Sequence, residues 1–184
     1  MNTNTTNEQK IIKKLLVANR GEIAIRVLRA ASEMGIRTTA IYTFEDRYSL
    51  HRYKADEAYQ IGKDNEPLKP YLDIEAIINV AKNNHVDAIH PGYGFLSENV
   101  TFAKRCREEG IIFVGPSPEV MEQLGDKIAA KTLARSINVP VIEDGILDPK
   151  DEQSALKKAE AIVFPDIKKH AAGGGVRGKS VERE

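Results

Sequence analysis

The chain has 184 residues, which suits one domain or one domain plus part of a second. Hydrophobic residues make up 41% and charged residues 29%, while Lys+Arg and Asp+Glu stand at 27 each, so the formal net charge is zero. This balance gives no electrostatic reason to expect nucleic acid or a membrane surface as a partner. The single cysteine, Cys106, excludes an internal disulfide and fits a reducing, cytoplasmic setting.

Residues 1–10 are rich in Asn and Thr, lack the apolar core of a signal peptide and read as a disordered tail. Residues 14–18 form a short apolar run that reads as a buried strand. It enters the turn Asn19-Arg20-Gly21, where glycine allows a sharp bend. A helix follows with Ile23, Val27, Ala30, Ala31 and Met34 on one face, closed by Gly35, and residues 36–42 read as a second strand. Such a β-α-β unit has a right-handed crossover and parallel strands.

The pattern repeats with a short strand over 58–61 and a helix capped by Asp73 that carries Ile74, Ile77, Ile78 and Ala81. A strand over 87–90 precedes a helix with Ser97 as its expected cap. Val100, Ala103 and Cys106 face inward, which makes Cys106 a packed thiol rather than a nucleophile. Gly110 closes that helix, and residues 111–114 form another strand. The alternation predicts an α/β fold with an open, mostly parallel sheet. Beyond Gly125, Asp126 can cap a helix with Ala129, Leu133 and Ile137 on one face, and residues 154–162 read as a further helix. The run Ala172-Gly173-Gly174-Gly175-Val176-Arg177-Gly178-Lys179 follows.

That glycine-rich run is the clearest chemical signal. Successive glycines let backbone N–H groups close around an anion, and Arg177 and Lys179 add positive charge; the competing reading is a flexible linker. The first turn holds one glycine where a dinucleotide fingerprint has three, so Glu45 and Asp46 at the end of the second strand do not make a nicotinamide site. The loop His90-Pro91-Gly92-Tyr93-Gly94-Phe95-Leu96-Ser97-Glu98-Asn99 leaves a strand at the carboxyl edge of the sheet, where ligands bind in open α/β folds. No His, Cys and carboxylate set has metal-ligand spacing, and no Ser-His-Asp arrangement can be argued.

Taken together, Leu16-Val17-Ala18-Asn19-Arg20-Gly21-Glu22-Ile23-Ala24, the 90–99 loop, Phe113-Val114-Gly115-Pro116 and Gly125-Asp126-Lys127 resemble the biotin carboxylase region of biotin-dependent carboxylases. Within that family, residues 51–62 and 67–72 look most like the pyruvate-directed members, with acetyl-CoA and acyl-CoA carboxylases next. The resemblance implies a Rossmann-like, pre-ATP-grasp domain over 11–124 and a partial ATP-grasp lid over 125–184. It implies a ligase that joins ATP and bicarbonate, with magnesium, and passes the carboxyl group to biotin on a separate carrier domain. By the same resemblance Lys127 and Lys169 contact ATP, Gly174, Gly175, Val176, Arg177 and Gly178 belong to the phosphate lid, and Arg26 and Arg29 lie at a dimer interface. The catalytic residues and metal ligands are expected beyond the last residue, so this chain alone is expected to be inactive and monomeric.

The lid departs from the family pattern. Asp166 and Lys168 stand at apolar positions, Val163 at a small one, Val176 at a glycine and Lys179 at a methionine. The strand holding Asp166 and Lys168 is expected to lack pairing partners. The rival readings are a non-catalytic fragment kept as an assembly module and an unrelated nucleotide-binding protein of Rossmann type.

Overall fold

The computed structural model describes residues 11–125, 127–141, 166–169 and 179–182, and for Lys127 and the last two stretches the backbone alone. The chain divides into two units, Met1–Met121 and Glu122–Glu184.

The first unit is built on five strands, β1 (Lys14–Val17), β2 (Arg37–Tyr42), β3 (Glu57–Gln60), β4 (Ala88–His90) and β5 (Ile112–Phe113). All are parallel and lie in the order β3-β2-β1-β4-β5. The order reverses at β1, whose neighbours are β2 on one side and β4 on the other. Helices α1 (Gly21–Glu33), α2 (Leu50–Lys54), α3 (Ile74–Asn83), α4 (Val100–Glu108) and α5 (Pro118–Gly125) alternate with the strands, with one turn of 3-10 helix over Lys69–Leu72. This is the expected open α/β sheet.

Burial explains the strand sequences. Leu16, Val17, Ala40, Ile41, Ala88 and Ile89 are inaccessible to solvent, as befits strands covered on both faces. One layer of core joins Leu16, Ile41, Ile77, Ile78, Ile89 and Phe102, with Phe113 meeting Phe102 edge to face. On the other face Val17 and Ala40 pack against Ala24 and Leu28 of α1. Cys106 lies in the first layer, and burial pushes its thiol up to about 12, so it is an inert packing group.

Several local expectations are corrected. The buried face of α1 is Ala24, Leu28 and Ala31, whereas Met34 is 74% exposed and Ala30 faces solvent. The helix ends at Glu33, so Met34 falls on the capping residue rather than on the stripe. Asn99, not Ser97, caps α4, because its side chain accepts a bond from Phe102 N at 2.8 Å. Ser97 is drawn instead into a turn in which its N–H donates to Gly94 O. The short α2 and the 3-10 turn have no counterpart in the predicted pattern.

In the second unit, α6 spans Lys127–Ser136, and Leu133 and Ile137 are exposed rather than buried. Strand β6 (Asp166–Lys169) pairs antiparallel with β7 (Lys179–Glu182), with Ile167 opposite Val181. The expectation of an unpartnered strand is therefore wrong: its partner lies ten residues on, within the chain itself. The register sets Asp166 opposite Glu182 and Lys169 opposite Lys179, like charges at both ends of the pair. The expected cap at Asp126, the helix over 154–162 and residues 170–178 lie outside the described residues.

The cap assignment is open to measurement. Asn99→Ala should lower the unfolding free energy by about 1 kcal/mol in urea titrations, and Ser97→Ala by less than about 0.5 kcal/mol. Equal losses would return the cap to Ser97.

Candidate functional site

Parallel strands deliver all their carboxyl ends to one edge, so the residues after β1, β2 and β4 meet there. Ala18 N extends the β1–β4 ladder by donating to His90 O at 2.9 Å. The next residue, Asn19, is fully buried. Its Nδ2 donates to Pro91 O at 2.7 Å and Tyr93 O at 3.0 Å, and its Oδ1 accepts from Arg20 N at 2.9 Å. One amide thus fixes the start of the 90–99 loop to the end of β1.

Arg20 reaches the residue group after β2. Its Nε and Nη2 donate to the two carboxylate oxygens of Asp46 at 2.6 and 2.5 Å. Tyr71 Oη donates to Asp46 Oδ2 at 2.8 Å and Ser49 Oγ to Oδ1 at 2.9 Å. Burial raises the Asp46 carboxyl, but the bonds from Arg20, Tyr71 and Ser49 outweigh it and hold the group at about 2. Burial and the adjacent carboxylate push the Tyr71 hydroxyl well above its ordinary range, so it stays a donor. The Tyr71 ring stacks on Phe95 with centroids 5.3 Å apart, which carries the network into the loop.

The loop itself is tightly specified. Gly92 and Gly94 have φ of 68° and 70°, and Phe95 holds a left-handed φ of 41°. A Cβ on Gly92 would stand 2.7 Å from both Asn19 Nδ2 and Ile23 Cγ2, so the close approach requires glycine. His90 is lowered by burial, and its Nδ1 accepts from Gly92 N at 3.0 Å, which leaves the proton of the neutral ring on Nε2. Tyr93 is 64% exposed, and its hydroxyl donates to Glu22 Oε1 at 3.2 Å. His51 is buried, with Nε2 on Ile41 O at 3.2 Å and no partner for Nδ1 among the described residues; burial lowers its pKa.

Chemically, this edge is a tightly hydrogen-bonded platform. The Asp46 carboxylate is consumed by four hydrogen bonds, and no group of three potential metal ligands converges among the described residues. The same bonds remove Asp46 as a ribose acceptor, in line with the poor dinucleotide fingerprint. Of the residues assigned by resemblance, Arg26 and Arg29 lie exposed on α1, Lys127 begins α6 and Lys169 ends β6. Gly174, Gly175, Val176, Arg177 and Gly178 lie outside the described residues. The Asp46–Tyr71–Phe95 connection was missed from sequence; an acid at a strand end followed by a tyrosine 25 residues later carries no local signature.

Comparison with known proteins gives a consistent picture. Residues 11–121 match the family model described as biotin carboxylase, N-terminal domain. Residues 126–184 match the carbamoyl-phosphate synthase L chain, ATP binding domain. Pyruvate carboxylase of Staphylococcus aureus is 55% identical over 175 residues, which cover 95% of this chain and 15% of that protein. Rhizobium etli pyruvate carboxylase T882A, solved with acetyl coenzyme A, is 50% identical with a TM-score of 0.81, over 94% of this chain and 16% of that one. The biotin carboxylase domain dimer of Hydrogenobacter thermophilus 2-oxoglutarate carboxylase, solved with MgADP, ADP and bicarbonate, is 47% identical with a TM-score of 0.85. There 95% of this chain and 38% of that one are covered. The chain therefore spans about 15% of the length of the curated pyruvate carboxylases it matches.

Two outcomes test the platform. The Asp46 carboxyl ionises at about 2 in the folded chain against an ordinary 3.8. The unfolded chain takes up this proton first as the pH falls. Its contribution, up to about 2 kcal/mol, is therefore complete above about pH 4 and is lost as the pH drops through about 2. Denaturant unfolding across this range should show that loss in the wild type and a shallower one in Asp46→Asn, which starts less stable. Gly92→Ala should cost more than about 1 kcal/mol by the same measurement, through both the positive φ and the Cβ clash.

Proposed function

Since the chain belongs to the biotin carboxylase N-terminal domain family, we propose that it is the amino-terminal part of the biotin carboxylase component of a pyruvate carboxylase. In this reading ATP and bicarbonate combine, and the carboxyl group passes to biotin on a carrier domain. The observation that carries the reading is the pair of consecutive matches, 11–121 to the N-terminal domain and 126–184 to an ATP-binding domain. The preference for a pyruvate carboxylase over other biotin-dependent carboxylases rests on relatives at 51–55% identity across 95% of the chain.

Within this function the two units have different work. The first supplies a stiff sheet edge, on which Asn19 and Tyr71 clamp the 90–99 loop. The second supplies cations for ATP. Lys127 and Lys169 act as compact point charges toward the nucleotide, and residues 174–178 offer backbone N–H groups to its phosphates. Phosphoryl transfer depends on such positioning and charge neutralisation more than on covalent chemistry. Magnesium supplies further charge neutralisation when bound. Arg26 and Arg29, exposed on α1, join a dimer interface. Among the described residues no helix is long and apolar enough to cross a membrane. We place the reaction in the cytoplasm, where the thiol of Cys106 stays reduced.

Calorimetric titration with ATP tests the nucleotide site. The 184-residue chain spans under two fifths of the biotin carboxylase domain chain it matches. Binding near a Kd of about 1 mM, or about −4 kcal/mol, is expected. Lys127→Ala combined with Lys169→Ala should remove it. Micromolar binding that survives the double substitution would count against these assignments.

A further inference from the structure

The segment 47–55 carries Arg47, Arg52 and Lys54 and contains no acidic residue. Its flanking carboxylates are both engaged. Asp46 is held by Arg20, Tyr71 and Ser49, and Asp56 accepts from Thr38 N and Oγ1 at 2.7 Å each. Several other cations of the first unit do find acids: Lys14 and Arg37 share Glu57, Lys82 and Arg105 share Glu109, and Arg107 takes Glu119, whereas Arg26 and Arg29 on α1 show no ion pair among the described residues. Arg47, Arg52 and Lys54 have no such ion pair among the described residues.

The two arginines are nevertheless ordered. The Arg47 guanidinium lies 3.9 Å from the Phe44 ring centroid and 4.7 Å from that of Tyr48, and its Nη1 donates to Phe44 O at 2.7 Å. The Arg52 guanidinium lies over Tyr42 at 4.5 Å and Tyr53 at 5.4 Å, and its Nη1 donates to Arg47 O. Around them Tyr48, Leu50 and Tyr53 are 75%, 57% and 61% exposed. Stacked, hydrogen-bonded guanidinium groups have already lost most of their rotamer freedom, so a partner's carboxylate meets fixed donors at little entropic cost. Exposed tyrosine beside arginine is also the composition of energetic centres in protein interfaces.

We propose that this Arg47–Tyr53 face docks an acidic segment of the carboxylase polypeptide lying outside these 184 residues. The proposal rests on the reading of the chain as part of a larger carboxylase, whose relatives extend far beyond the stretch matched here. Charge complementarity identifies the chemistry: Asp or Glu side chains to meet the two guanidinium groups, set around an apolar residue that covers Leu50. A second copy of the same face is the wrong partner, since a self-complementary contact turns Arg47 and Arg52 against their own counterparts. A nucleic acid is a poor match to three cations on a chain of zero net charge.

Binding of the full chain to Staphylococcus aureus pyruvate carboxylase lacking its matching 175-residue stretch tests the proposal. The wild-type chain should bind, and more weakly as salt rises. R47E/R52E should raise the Kd by about tenfold or more, and Y48A/Y53A should raise it as well. R107E, a charge reversal at another exposed arginine, should leave it unchanged, and thermal unfolding should confirm that all variants fold. The proposal falls if R47E/R52E binds like the wild type or if the wild type does not bind. It also falls if the double variant abolishes self-association of the chain, or its binding to a single-stranded RNA 20-mer, instead. The ATP titration probes the family reading through different residues, so failure of one leaves the other standing.

Discussion

Asp46 is a carboxylate withdrawn from water at the point where three strand ends and a 3-10 turn come together. Leaving it there unpaired would cost several kcal/mol, and the surrounding structure is arranged around its satisfaction. Arg20 must leave β1 in a direction that offers both guanidinium edges, which the left-handed Gly21 makes possible by turning the chain at once into α1. Tyr71 must be buried with its hydroxyl inward, which fixes the 3-10 turn against the sheet. Ser49 must sit at the start of α2. Three side chains, two of them 25 and 26 residues away in sequence, are thereby held to one pair of oxygens.

The 90–99 loop inherits its order from this centre by two routes. One passes through Asn19, whose backbone adjoins Arg20 and whose amide grips the carbonyls of Pro91 and Tyr93. The other passes through the ring of Tyr71 onto Phe95. Phe95 keeps a backbone angle unfavourable for a bulky side chain, at a cost of order 1–3 kcal/mol that the flanking contacts offset. The carboxyl edge of the sheet is consequently held in order by contacts within the first unit alone.

Much of this was legible in sequence because parallel strands buried on both faces read as apolar runs. Residues 14–18, 36–42, 87–90 and 111–114 stood out for that reason, and Asp73 capped its helix as expected through a bond from Ala76 N. The misreadings have physical causes. Met34 continued the α1 periodicity on paper, but the helix ended before it could use that register. Ser97 and Asn99 are both competent caps, and the turn closed by Ser97 N decided between them. Strand β6 looked unpaired because its partner residues, 179–182, resemble a polar tail. Asp46, Arg20 and Tyr71 carry no mutual signal at separations of 25 and 26 residues, so the centre of the site emerges only once the chain is folded.

The strand order also governs how the sheet behaves toward other sheets. Its two margins are β3 and β5, the places where unpaired backbone groups invite a foreign strand. On one margin only Ile112 and Phe113 are in the ladder, too short a template to nucleate an intermolecular pair. On the other, β3 is itself only four residues long, from Glu57 to Gln60. A parallel sheet is slow to assemble and leaves its edges open meanwhile. Blunt margins of this kind let such a sheet form in a crowded cell without recruiting its neighbours into an aggregate.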